Sequence, residues 1–185
     1  MKPAVMSIVW VIAGLLPLAA QAQQQIVPAQ SEIGFVSRQM GVPVEGRFKR
    51  FSAQLVFNPA QLATSKISLT VDTGSADISR EANAELPKPT WFNVAAFPQA
   101  TFTSSSFKRI DTTRYEVAGK LNIKGVSSDV VVPVVLVKNG ATTTASGTFP
   151  IKRLAFRIGE KEWADTSIVA DEVQVKFKIA LTGIP

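Results

Sequence analysis

The stretch Glu172-Val173-Gln174-Val175-Lys176-Phe177-Lys178-Ile179-Ala180-Leu181-Thr182 puts Val173, Val175, Phe177, Ile179 and Leu181 on one face of an extended chain. Gln174, Lys176 and Lys178 fall on the other. This period-two alternation marks a strand with one buried and one solvated face. The same rhythm recurs upstream. In residues 114–124, Tyr115, Val117, Gly119, Leu121 and Ile123 share a face. In 66–72, Ile67, Leu69 and Val71 oppose Ser68 and Thr70. In 31–39, Ile33 and Phe35 oppose Glu32, Gly34 and Val36. Residues 100–110 set Phe102 and Ser104 against Thr101 and Thr103, and 142–150 form a threonine-rich strand.

Two segments depart from the plain pattern. In 46–57, Phe51, Ala53, Leu55 and Phe57 share one phase while Phe48 lies one residue out, so a bulge is expected near Arg50. Residues 127–138 are apolar on both faces, which predicts a strand covered on both sides. Pro133 places part of that strand at an edge or bulge. Asn58-Pro59 ends the second strand, and 59–64 can form a short helix capped by Asn58. About eight antiparallel strands joined by short turns, with one or two short helices, give an all-β barrel or sandwich. A barrel of this size is either just filled by side chains or holds one small ligand.

Residues 77–98 break the rhythm. A helix is compatible with 79–86, and Pro87 and Pro89 end it. Trp91, Phe92 and Phe97 follow without alternation, as an aromatic cap over one barrel end would. At the N-terminus, Lys2, an apolar run over 8–20 and the Ala20-Gln21-Ala22 site read as a cleaved signal peptide over 1–22. One domain, 23–185, is then expected in the periplasm. A chain of that length buries roughly two-thirds of its unfolded surface in one core.

The absent residue types exclude much chemistry. Of 185 residues none is Cys or His. Disulfides, thiol nucleophiles, Ser-His-Asp hydrolysis, His-ligated metals and finger-type zinc are ruled out, and no cofactor is expected. The net charge of +6 spreads over Arg47, Lys49, Arg50, Lys108, Arg109, Arg114, Lys120 and Lys124. They read as solvated strand faces, or as attraction to anionic lipid, and not as a nucleic-acid stripe.

A set of segments in order carries a resemblance: Ser31-Glu32-Ile33-Gly34-Phe35, Gly46-Arg47-Phe48-Lys49-Arg50-Phe51, Phe57-Asn58-Pro59, Trp91-Phe92, Phe97-Pro98, Phe102-Thr103-Ser104, and Gly119-Lys120-Leu121-Asn122-Ile123-Lys124-Gly125-Val126. Together they resemble the YceI-like family, exported lipocalin-like barrels that bind polyisoprenoids or other long-chain amphiphiles. The resemblance implies a lipocalin-like barrel and a long-chain lipid-like ligand. Family histidines near the first strand and the helix are replaced here by Gln30-Ser31 and Asn83-Ala84-Glu85-Leu86, so no histidine contact carries over. The chain is similar to the branch found with a membrane b-type cytochrome, which implies a link to such a protein and a transient membrane contact.

The expected function is therefore sequestration of a polyisoprenoid, quinone or fatty-acid derivative, with no catalytic step. Expected cavity residues are Phe35, Phe51, Leu55, Phe57, Leu69, Trp91, Phe92, Phe97, Phe102, Tyr115, Leu121 and Phe177. A polar or basic mouth would meet the head group. Two rivals stay open. One is a carboxylate hydrolase at Glu160 and Glu162, with Asp165 nearby. The other is a solid β domain that binds protein partners. Ser105 and Lys108 match Ser-x-x-Lys, but that motif needs a helix, and a strand points these positions to opposite faces. Asp171-Glu172 lacks the ligand count of a calcium loop.

Overall fold

The computed structural model describes residues 23–184, so the expected signal peptide lies outside the described residues. Eleven strands form one antiparallel sheet. In chain order they are β1 (Gln25–Ile26), β2 (Glu32–Gln39), β3 (Val42–Phe48), β4 (Phe51–Val56), β5 (Lys66–Asp72), β6 (Ala76–Asp77), β7 (Gln99–Arg109), β8 (Arg114–Ile123), β9 (Val126–Asn139), β10 (Thr142–Lys152) and β11 (Glu172–Thr182). The lateral order is β4-β5-β7-β8-β9-β10-β11-β2-β3-β6, with β1 added to β11. The sheet curls into a barrel whose interior carries the expected faces. Tyr115, Val117, Leu121 and Ile123 are all buried.

The expected strand 46–57 is two strands. β3 and β4 lie towards opposite ends of the lateral order, so the chain crosses the seam of the barrel at Lys49-Arg50. The phase break at Phe48 is this corner and not a bulge. Ser75 and Asp72 stitch it. Lys49 N donates to Ser75 O at 3.1 Å, Arg50 N to Ser75 Oγ at 3.0 Å, and Asp72 N to Arg50 O at 3.0 Å. At the other end of the seam, Gln24 substitutes for a strand. Its side-chain amide accepts from Phe57 N at 2.6 Å and donates to Phe57 O at 2.8 Å. The register does shift elsewhere, in β7 between Ser104 and Ser106.

β9 is covered on one face only, against expectation. Val131, Val135 and Val137 are 58%, 38% and 47% exposed. A single-layer barrel leaves its outer face to solvent, and the valine run reflects strand preference. The ladder to β10 stops at Val135–Ser146, so Pro133 sits where no β10 partner requires its missing N–H. Asn58 caps as expected, with Oδ1 accepting from Ala60 N at 2.9 Å and Gln61 N at 3.2 Å. The helical turn behind it is a 3-10 turn at Leu62–Thr64. The helix expected over 79–86 is α1 (Arg80–Glu85), capped by Ser79 Oγ accepting from Ala82 N at 3.2 Å.

Gly125 takes φ +77° in the β8–β9 turn, a conformation glycine adopts freely. Gly119 is required by close approach. A Cβ there would stand 2.5 Å from Thr103 O and 2.6 Å from the Phe102 ring. Gly119→Leu should therefore lower the unfolding free energy by about 1–3 kcal/mol through overpacking. Urea titration followed by circular dichroism checks this. An unchanged midpoint would mean the β7–β8 pair yields to a side chain.

Candidate functional site

The inward faces of a barrel this wide do not meet across its centre. They leave a cavity of about 490 Å³, within the ~300–1,000 Å³ of small-molecule sites. Apolar side chains line its wall: Ile33 and Phe35 of β2, Phe51, Ala53 and Leu55 of β4, Ile67, Leu69 and Val71 of β5, Phe102 of β7, Leu121 of β8, Ala145 and Phe149 of β10, and Val175, Phe177 and Ile179 of β11. Nine of the twelve expected residues line it: Phe35, Phe51, Leu55, Leu69, Trp91, Phe92, Phe102, Leu121 and Phe177.

The other three, Phe57, Tyr115 and Phe97, are not among the lining residues. Phe57 and Tyr115 meet edge to face with centroids 5.4 Å apart, and Phe107 lies tilted against Phe57 at 6.0 Å. With Arg109 above Tyr115 at 5.6 Å, they plug the barrel end near Gln24. Phe97 packs against the Gly125 turn, its ring 2.8 Å from where a Cβ would stand. Periodicity gave Phe57 and Tyr115 the right face, but not the depth along the barrel axis.

The opposite end is capped by 77–98 and 153–171. One face of α1 and its flanks, Ile78, Ala82 and Leu86 with Trp91 and Phe92, looks into the cavity. Leu86 and Phe92 also pack with Leu121, Ile123, Phe156 and Ile158 as a core cluster. Asn83 fixes the hinge of this cap. It accepts from Ile78 N at 2.9 Å and donates to Asp77 Oδ1 at 2.9 Å. Lys49, hydrogen-bonded to Asp77 at 3.0 Å, and Asn83 hold that carboxyl below the ordinary aspartate pKa.

Residues 24–181 match the YceI-like domain. The chain belongs to this family. It is 46% identical to BcnA of Burkholderia cenocepacia, with a TM-score of 0.81 over 84% of this chain and 99% of that one. The YceI protein of Campylobacter jejuni aligns with TM-score 0.67 and 25% identity over 74% of this chain and 83% of that one. A polyisoprenoid-binding domain from Saccharophagus degradans shares the fold at 16% identity and TM-score 0.69, covering 88% and 99%. Protein YceI of Salmonella arizonae is 33% identical over 96 residues, 51% of this chain and 50% of that protein. The matched stretch thus spans about half the length of the curated relatives.

Two buried cations organise the cap of this YceI-like barrel, and neither was singled out as buried from sequence. The Arg153 guanidinium uses its five N–H groups on five carbonyls: Nε to Ala170 O at 3.0 Å, Nη1 to Ile158 O and Gly159 O at 2.9 Å each, and Nη2 to Trp163 O at 2.7 Å and Val169 O at 2.6 Å. Burial pulls its pKa below the ordinary guanidinium value, and the Asp171 carboxylate opposes that pull. Lys124, read from sequence as a solvated turn residue, is buried instead. Its Nζ donates to Pro89 O at 2.7 Å, Arg157 O at 2.6 Å and Glu160 Oε2 at 3.0 Å. The signal that could have found Arg153 is its place two residues beyond Ile151 in the inward phase of Phe149 and Ile151.

The rival carboxylates have structural partners or face solvent. Glu160 holds Lys124, Asp165 Oδ1 caps its own turn through Ser167 N at 2.8 Å, and Glu162 is exposed. None is among the residues lining the cavity. Ser105 stands at the register shift of β7 and Lys108 pairs with Glu116 at 3.4 Å. Asp171 accepts from Leu154 N at 3.0 Å. The exposed bases Arg47 and Lys49 pair with Asp77, Arg50 with Asp72, Arg114 with Asp111 and Lys120 with Asp129. Arg109 donates to Pro59 O.

Arg153→Met should cost about 3–5 kcal/mol, since it leaves several buried carbonyls without donors. Hydrogen exchange should show protection lost first over 158–170. Wild-type stability in this variant would refute the role given to the guanidinium.

Proposed function

We propose that this protein is an exported carrier that takes the tail of a long-chain amphiphile, such as an isoprenoid or quinone, into the barrel. The observation that carries the reading is the cavity of about 490 Å³ walled almost wholly by aliphatic and aromatic side chains. Each Å² of tail removed from water contributes about 25 cal/mol. The name of the Saccharophagus degradans relative, a polyisoprenoid-binding domain, supports the same ligand class. The mechanism is sequestration without a chemical step. The N-terminal apolar run and its Ala20-Gln21-Ala22 site support export to the periplasm. Exposed Met40, Val42 and Ile168 lie around the β2–β3 turn, where Met40 N donates to Ile168 O at 2.8 Å. They support a transient contact with a membrane during loading. A membrane b-type cytochrome as partner rests on family resemblance alone.

Ala145 faces the cavity from β10. Ala145→Phe should fill the interior and weaken a fluorescent long-chain probe at least tenfold, while the melting temperature moves by only a few degrees. Titration of folded variant and wild type checks this. Equal binding would place the ligand outside the barrel and favour a protein-binding role.

A further inference from the structure

The tip of the β2–β3 hairpin holds a conformation that its sequence does not favour. Gln39 pairs with Val42 across the tip, and the residues between them, Met40 and Gly41, take φ of +47° and +81°. Positive φ at both central positions is the type I′ turn, whose usual sequences are Asn-Gly, Asp-Gly and Gly-Gly. The other non-glycine residues with positive φ among the described residues are Asn93, Lys124, Arg157 and Lys161, all polar, so Met40 is the apolar exception. A side chain with a Cβ is strained there. Met40 is also 77% exposed, so packing within the chain does not offset that strain. Strain retained under an exposed apolar side chain points to a contact made outside the chain.

Met40 has apolar company. Val42 is 63% exposed on the same tip, and Ile168 is 40% exposed on the loop beside it. That loop is fastened to the hairpin: Met40 N donates to Ile168 O at 2.8 Å, Ala170 N donates to Arg38 O at 2.9 Å, and Gln39 bridges to Val169. The three side chains thus form one patch on a braced turn. Arg38 stands at its edge, with Nη1 donating to Gly41 O at 3.2 Å and no carboxylate partner among the described residues. The neighbouring carboxylates are engaged: Glu45 of the same hairpin faces Lys176 at 3.8 Å, and Asp165 accepts from Ser167 N at 2.8 Å. A small apolar patch edged by a free cation suits a bilayer that contains anionic lipid. The apolar groups enter the acyl boundary, and the guanidinium reaches the phosphates. Three side chains on a turn fall well short of the ~800 Å² per partner that a stable protein interface buries.

We propose that the β2–β3 tip is a membrane wedge: Met40, Val42 and Ile168 insert into an anionic bilayer, with Arg38 on the lipid phosphates. The barrel then docks by its capped end, hairpin first. The same hairpin lines the cavity from within through Ser37, Gln39 and Val44. Gln39 on the hairpin and Ser79 and Glu81 at the start of α1 are exposed as well as lining, so the wall there is one side chain thick. Docking by the tip sets this thin part of the wall near the bilayer, and a tail passing between membrane and cavity crosses little water. The inference rests on the carrier reading above, and adds to it the docking residues, their orientation and the lipid charge they need.

Flotation with vesicles of phosphatidylcholine, alone or mixed with phosphatidylglycerol, tests the wedge. The wild type should float with the mixed vesicles. Met40→Asn combined with Val42→Thr should bind them at least fivefold more weakly yet melt no lower than the wild type, because asparagine accepts positive φ more readily than methionine. The double variant should still bind a fluorescent long-chain probe in solution as the wild type does, since neither residue lines the cavity. Arg38→Gln should weaken binding to the mixed vesicles only. The chain has no cysteine, so an environment-sensitive dye can be attached to Met40→Cys and, at the plugged end, to Ala60→Cys. Mixed vesicles should shift the emission of the first to the blue and leave the second unchanged. A wild type that does not float, a double variant that floats equally well, or equal shifts from both dyes would overturn the inference. Retained probe binding in those cases leaves the carrier reading standing. A wild type that binds vesicles but no probe would remove the carrier reading, and with it the transfer role given to the tip.

Discussion

A curled sheet satisfies its own backbone, but the irregular segments that close its end do not. The guanidinium of Arg153 resolves this for 158–170, where five main-chain carbonyls converge on one side chain. Irregular backbone is tolerated in the interior only when its polar groups are paired. Lys124 does the same for the junction of 87–98 with 157–160, holding Pro89 O and Arg157 O. The barrel can then be shut at that end and stay hollow behind it.

The two ends of the barrel contrast in chemistry. Phe57, Phe107 and Tyr115 fill the far end, and the Gln24 amide completes the seam beside them. The capped end brings together Ser37, Gln39, Glu81, Glu85 and Trp91. The basic residues considered from the sequence are tied to acidic neighbours or carbonyls.

The strands were legible because burial on one face writes a period of two; β8 follows it throughout and β11 as far as Ile179, while Ala180, in the outward phase, is buried as well. Pairing was less legible. Nothing in the phase of Phe48 and Phe51 tells a bulge from a corner that carries the chain across the seam. Whether an apolar run such as Val130-Val131-Val132 is covered on both sides depends on layers that local sequence does not encode. Inward phase likewise placed Phe57 and Tyr115 inside, but not at the plug. Arg153 was hidden by its charge, although its phase marked it as inward. Trp91 was read as an apolar cap residue, and its buried indole N–H has no partner among the described residues.

Native mass spectrometry of the protein purified without detergent from cells expressing the full chain bears most directly on the central claim. The account predicts a species heavier than the bare protein by one long-chain amphiphile, released by organic solvent. Bare protein that also fails to take up an added isoprenoid would contradict it.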